Sequence, residues 1–254
     1  MSKKFEKLNF DQNGKKHVSD IDSDMMMDID VYKMKKGDTL KFFDKDNETA
    51  ILLTEGNITY NFDGKTEKAY RKDVFSEAPY CLHMCKGHEA RVTADTDSEI
   101  IVQKTKNDKI FDTKFYTPAE NKIELMGDKQ WEGTAKREVL TVFDYFNAPY
   151  SNMVIGEVIT KAGRWSSYVP HSHHQPEVYY FKFEKPQGFG AAFVGDEVFK
   201  SADGSCVRIP GGLTHPMTAA PGYNMYYCWM IRHLENDPWT TRDNDPAHVW
   251  LLNE

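Results

Sequence analysis

The residues best suited to chemistry are three histidines and a glutamate in the C-terminal half of the chain. Residues 163–183, GRWSSYVPHSHHQPEVYYFKF, place His171 and His173 two positions apart. Side chains two apart on a strand share a face, so both imidazoles project together. If this pair ends one strand and Glu177 begins the next, a turn at residues 174–176 folds the carboxylate back beside the rings. Pro176 suits that place, because proline cannot donate to a ladder but tolerates a strand start. Two imidazoles and a carboxylate form a facial ligand set for a borderline divalent ion, with positions left open for water or substrate. A further ligand has to come from a distant strand on the same inner wall. Residues 204–216, GSCVRIPGGLTHP, supply His215 after an apolar strand and a Pro-Gly-Gly turn. Glycines there let the chain reverse tightly and approach other backbone closely. His171, His173, Glu177 and His215 are therefore the expected metal ligands. A bound ion with open positions can polarise a carbonyl, orient vicinal oxygens, activate water or bind dioxygen.

The elements that must hold these residues read as strands. No long segment sustains a helical period, and short runs of β-branched and aromatic residues alternate with turn signals instead. In the first half, residues 49–54, 56–62, 74–75 and 100–103 are expected strands, with Asp63-Gly64 as a tight hairpin turn. In the second half the expected strands are residues 151–160, 177–183, 190–194, 205–209 and 223–230. The simplest partition is all-β: a polar tail at residues 1–24, an N-terminal barrel without metal at 25–125, and a C-terminal metal-binding barrel at 126–254. The first half has His17, His83 and His88 but no His-x-His pair.

Composition narrows the function classes. A chain of 254 residues with 40% hydrophobic and 13% aromatic content can bury a substantial core without disulfides or a structural metal. A net charge of −7 argues against a nucleic-acid partner, which wants a basic face. Cys81, Cys85, Cys206 and Cys228 complete no zinc-ribbon spacing and read as reduced, buried thiols. The N-terminus has positive charge but no apolar h-region, and no apolar run reaches the roughly 20 residues of a membrane helix. A cytoplasmic protein that does not engage membranes is expected.

The two ligand segments also resemble the two signature motifs of the cupin superfamily. His171, His173 and Glu177 match its His-x-His, three residues, Glu pattern. Gly204, Pro210, Gly212 and His215 match its Gly, five residues, Pro-x-Gly, two residues, His pattern. Ala219 stands where the second motif usually ends in Asn, a position that is not a ligand in that superfamily. The surrounding runs GRWSSYVPHSH, EVYYFKFEKPQGFG and APGYNMYYCWM, with Arg137–Val139 and the terminal DPAHVW, resemble the 5-deoxy-glucuronate isomerases of inositol breakdown. That resemblance covers most of the chain and is densest from Tyr150 onward. Related uronate ketol-isomerases of pectin breakdown share the metal motif but typically lack runs like WSSYPPH and PQGFG.

The resemblance implies two cupin-type barrels (double-stranded β-helix, jelly-roll), a homo-oligomer and a divalent ion. Zinc is placed first, and manganese, iron or nickel are compatible with the same donors. It also implies conversion of 5-deoxy-D-glucuronate, a small sugar acid, to 2-deoxy-5-keto-D-gluconate. Such an aldose–ketose isomerisation removes a proton next to the aldehyde, places negative charge on two neighbouring oxygens and needs a base to move the proton between carbons. Glu177 and Tyr179, which share a strand face, are the candidate catalytic residues; an inward aromatic with a satisfied hydroxyl is the alternative for Tyr179. The substrate carboxylate calls for a cation. Arg164 and Arg208 are put forward, with Arg137 and Lys161 also available, and Gln187 and Tyr227 are candidates for binding hydroxyls. A cupin dioxygenase, a non-enzymatic sugar-binding cupin and the pectin-branch ketol-isomerase are the rival readings.

Overall fold

The computed structural model describes residues 3–12 and 14–253 and divides into two compact units, neither of them a contiguous stretch of chain. One takes Asn9–Asn121 with Ala148–Asn152; the other takes Met1–Leu8, Lys122–Asn147 and Met153–Glu254. In chain order the first strand, β1 (Phe5–Lys7), belongs to the second of these units. The first unit then runs through β2 (Lys15–Ser19), β3 (Asp28–Met34), β4 (Thr39–Phe43), β5 (Asn47–Phe62), β6 (Lys65–Arg71), β7 (Cys81–Met84), β8 (Glu89–Ala94), β9 (Ser98–Lys106) and β10 (Lys114–Tyr116). Residues 1–24, expected as a polar tail, instead carry β1 and β2, because their short runs of β-formers find open sheet edges at β19 and β3.

β5 gives the first unit its two layers. Its N-terminal part pairs with β7 and β9, and its C-terminal part with β6 and β8. The stretches 49–54 and 56–62, expected as separate strands, are thus one bent strand. Gly56 marks the bend: its φ is +104°, and a Cβ there would lie 2.1 Å from the Ser98 Oγ. Beyond it Ile58, Tyr60 and Phe62 alternate inward to a core shared with Ile51, Leu82, Val92 and Ile100. Asp63 and Gly64 close the β5–β6 hairpin with φ of +46° and +74°, both positive as a type I′ turn requires. Val74 and Phe75, expected in a strand, lie in a turn. The Asp73 carboxylate accepts the Phe75 and Ser76 N–H groups, each at 2.9 Å, which satisfies locally what a ladder would have used.

The second unit contains β11 (Lys122–Met126), β12 (Arg137–Phe143), β13 (Met153–Thr160), β14 (Trp165–Ser166), β15 (His171–Ser172) and β16 (Glu177–Phe183). It continues with β17 (Phe189–Val194), β18 (Glu197–Ala202), β19 (Ser205–Ile209), β20 (Met217–Ala219), β21 (Met225–Arg232) and β22 (Asp243–Asn244). A seven-stranded sheet has the order β1-β19-β16-β21-β13-β12-β11, a four-stranded sheet the order β14-β20-β17-β18, and β15 pairs with β22. The core lies between these sheets. Val154, Phe181, Val207 and Ile231 of the larger meet Ala192, Val194, Met217 and Ala219 of the smaller. The architecture is all-β and of cupin type, two facing antiparallel layers whose inner wall is available for a site. None of the helices among the described residues is long and apolar enough to cross a membrane.

Ala148–Asn152 is tied into the first unit by Glu48, a carboxylate with no exposed surface. Its Oε2 lies 2.8 Å from His83 Nε2 and accepts the Ser151 hydroxyl at 3.0 Å, while Oε1 accepts the Asn152 N–H. A buried carboxylate survives only with such a set of partners, and deleting it strands every donor. Glu48→Ala is expected to lower stability by about 3–5 kcal/mol, read from the urea midpoint, with Glu48→Gln milder. A loss under 1 kcal/mol would show that the cluster does not hold this segment.

Candidate metal centre and its pocket

The central strand β16 begins at Glu177, whose register partners are Ile209 on β19 and Ile231 on β21. The chain leaving β19 turns at Pro210–Gly212 and delivers His215 beside it. Two contacts fix that turn. Gly212, with φ of +83°, donates its N–H to the His173 carbonyl at 2.7 Å. A Cβ on Gly211 would lie 1.9 Å from the His174 carbonyl oxygen. The glycines therefore let the His215 loop lie directly on the backbone of the His-x-His segment. His171 comes from β15, where it faces Asn244 of β22.

Each of the three rings is oriented in the same way. His171 Nδ1 bonds the Val169 carbonyl at 2.8 Å, His173 Nδ1 the Gln175 carbonyl at 2.9 Å, and His215 Nδ1 the Leu213 carbonyl at 2.9 Å. A carbonyl can only accept, so Nδ1 carries the proton and the Nε2 lone pair is left free. His173 Nε2 and His215 Nε2 each lie 3.3 Å from Glu177 Oε2. Candidate donor atoms of His173, Glu177 and His215 all fall within 4.8 Å of one another. The His171 ring stands 4.9 Å from that of His215. All four residues are at most 6% exposed. Burial pushes the His171 imidazole down to about 2, with the neighbouring His215 and Arg242 charges adding to the effect, and burial also lowers His215. Imidazoles with backbone-held Nδ1 and a carboxylate among them are donors of the kind that suit a divalent metal.

The pocket around these residues is lined by hydroxyls, guanidiniums and indoles. Tyr179 donates to Glu177 Oε2 at 3.1 Å and stacks on Tyr227 with centroids 4.4 Å apart. Ser167 Oγ lies 3.3 Å from the Tyr179 hydroxyl and 3.4 Å from that of Tyr227. Burial first, then the Glu177 charge, raises Tyr179 well above the ordinary phenol range, so its hydroxyl is a donor. Tyr227 is also raised, chiefly by burial. Trp229 crosses Gly156, where a Cβ would lie 2.3 Å from the indole, and packs against Trp239 at 5.6 Å.

The expected site residues divide clearly. His171, His173, Glu177, His215, Tyr179 and Tyr227 converge on one pocket. Arg208 does not line it: its guanidinium donates to the Lys3 carbonyl and to Glu6 Oε2, at 2.7 and 3.1 Å, pinning the stretch around β1. The parity that linked Arg208 to the His215 strand puts it on the face opposite the pocket, since Val207 and Ile209 point into the core. Arg164 also lies outside, in the loop before β14, with its carbonyl bonded to Ala219 N. Gln187 sits on the exposed loop between β16 and β17, because Gly188 packs on Phe183 and turns the preceding residues outward. Lys161 pairs with Glu138. The cations that do line the pocket are Arg137, on β12, and Arg242, just before β22. Arg137 was one of four cations open in the sequence; Arg242, in WTTRDND, carries no motif and is placed by the β15–β22 pairing.

The family model described as KduI/IolB family matches residues 4–251. A 5-deoxy-glucuronate isomerase of Geobacillus kaustophilus (strain HTA426) is 30% identical over 88% of this chain and 85% of its own length. One of Bacillus subtilis (strain 168) is 27% identical over 82% and 81%. Among solved structures, an IolB-like protein of Salmonella typhimurium LT2 superposes with a TM-score of 0.87 at 21% identity, covering 99% of this chain and all of that one. An oxalate decarboxylase of Lactobacillus farciminis shares the fold at a TM-score of 0.67 and 11% identity, over 100% of this chain and 91% of that one. With a family match spanning nearly the whole sequence, the chain belongs to the KduI/IolB family.

Proposed function

We propose that the protein is a 5-deoxy-glucuronate isomerase, converting 5-deoxy-D-glucuronate to 2-deoxy-5-keto-D-gluconate in inositol breakdown. The observation that carries this reading is the convergence of three imidazoles and Glu177 on a pocket lined by the Tyr179, Tyr227 and Ser167 hydroxyls. Relatives bearing that name align over most of the chain. His171, His173, Glu177 and His215 would hold a divalent ion, and zinc suits three nitrogens and one oxygen. When bound, the ion supplies a Lewis acid that stabilises negative charge on two adjacent sugar oxygens.

The chain's own residues supply the proton transfer. Glu177 Oε2 accepts the Tyr179 hydroxyl and faces the Nε2 lone pairs of His173 and His215, where an ion would lie, so Oε1 is the atom that takes the proton from the carbon beside the aldehyde and returns it to the aldehyde carbon. Tyr179 holds that carboxylate in place, and the hydroxyl proton of the adjacent carbon passes to the former aldehyde oxygen, which completes the exchange. Trp229 and Trp239 wall off water along one side of the pocket. The four cysteines are buried and free, which suits a reducing compartment such as the cytoplasm. The edge strand β11 exposes Ile123 and Leu125, each 56% accessible, and this supports a homo-oligomer that covers it.

The deciding experiment is NMR of 5-deoxy-D-glucuronate incubated with the protein in D₂O. A ketose carrying deuterium on its new CH₂OH is expected; no ketose here, with turnover of the pectin-derived deoxy-hexosulose-uronate instead, would move the protein to the pectin branch. Glu177→Gln is expected to lower kcat by about 10²- to 10⁴-fold. The pair His171→Ala with His215→Ala should abolish bound metal and activity while circular dichroism stays unchanged, and stoichiometric metal in that variant would sink the ligand assignment. Gly211→Ala should push the His215 loop off the His174 carbonyl and weaken metal affinity about 10- to 100-fold, read by competition with a chelator.

A further inference from the structure

We propose that Arg137 and Arg242 form a two-guanidinium clamp that binds the carboxylate of the substrate in the pocket that holds the candidate metal ligands. This rests on the isomerase reading above and names the group by which the site selects sugar acids over neutral sugars. Both side chains line the cavity that holds His171, His173, Glu177 and His215. Neither has a carboxylate within 4.0 Å among the described residues, although the chain carries 39 acidic side chains against 32 lysines and arginines. Of the other candidate cations, Arg208 and Lys161 are each paired with a glutamate, and Arg164 lies outside the pocket.

The two arginines are held by different means. Arg137 is 4% exposed, and its guanidinium donates to the Ala135 carbonyl at 2.8 Å and the Tyr168 carbonyl at 3.0 Å. Those bonds fix its plane while using two of five N–H donors. Arg242 arrives from the segment after β21, which is seated by the ladder of Asp243 and Asn244 on β15, by the Asp245 N–H to the Pro170 carbonyl at 2.9 Å, and by Trp239 against His173 and Trp229. That ladder joins Arg242 to the strand carrying His171, so the cation and the metal centre are placed by the same pairing. Burial against the pocket wall lowers both guanidiniums from their ordinary value, and the charge of Arg242 lowers Arg137 further. Two like charges facing one partly dry cavity repel one another, and a bound carboxylate relieves that repulsion while offering bidentate acceptor geometry.

The test compares 5-deoxy-D-glucuronate with 5-deoxy-D-glucose, in which the carboxylate is a CH₂OH group, on metal-loaded wild type, Arg242→Gln and Arg242→Lys. Arg242 is chosen because Arg137 also supports the backbone around it. Arg242→Gln is expected to lower kcat/KM for the acid by roughly 10- to 100-fold, mostly through KM, and to cut the preference for acid over neutral sugar by the same factor. Arg242→Lys should restore part of that preference, and metal content should match wild type throughout. Equal losses on both sugars would overturn the clamp while leaving the isomerase reading standing. If wild type turns over neither sugar, titration calorimetry of both with the same three proteins decides: Arg242-dependent binding of the acid alone keeps the clamp and discards the reaction, and binding indifferent to Arg242 overturns the clamp.

Discussion

The site depends on one repeated constraint: a backbone carbonyl two residues from each histidine holds the proton on Nδ1. A free imidazole samples two tautomers and rotates about two torsions. Here both freedoms are removed before any ligand arrives, and the lone pairs that remain on His173 and His215 lie near Glu177. These carbonyls belong to Val169, Gln175 and Leu213, in short loops and not in ladders, where a sheet would have used them. The brevity of β14, β15 and β20 around the site is therefore functional. Longer strands would satisfy the same carbonyls and release the rings.

A second layer of support comes from close backbone contact. Gly211 and Gly212 let the His215 loop lie against residues 173 and 174, so the ligand segments are registered by main chain and not by adjustable side chains. Gly156 does the same for the aromatic wall by admitting the Trp229 indole over its own backbone. Main-chain contact of this kind tolerates little error, which suits a centre whose donors must sit within a few tenths of an ångström of their places.

The gathering of His171, His173, Glu177 and His215 in one pocket was readable because a metal motif has strict spacing: two residues along a strand, a turn, a strand start, then a glycine-rich reversal. The alternation that put Tyr179 on the face of Glu177 was equally readable, since side-chain period on a strand is fixed. The strands of the second unit, notably Glu177–Phe183 and Ser205–Ile209, followed from their apolar runs. The cations failed for a different reason. Arg208 has the parity of an outward residue, and only the docking of β1 shows what it faces. Arg242 lies in a segment with no periodicity at all, and its position is set by pairing with a strand some 70 residues earlier, information that local pattern does not hold. Likewise β5 reads as two strands because Gly56 looks like an end, whereas in the structure it is a bend.

The pairing of Phe5 with Val207 has a meaning for how the protein is made. β1 has no partner on β19 until roughly 200 residues more have emerged from the ribosome, about 10–40 s at ordinary rates of synthesis. Through that interval Phe5 lacks the ring of Phe199, on which it finally stacks at 5.7 Å. Arg208 and the strand it secures come together only after most of the His215 segment has been translated. Completion of the second unit is thus a late event in the life of the nascent chain, and substitutions in residues 3–8 should act on yield during biosynthesis more than on the chemistry of the finished enzyme.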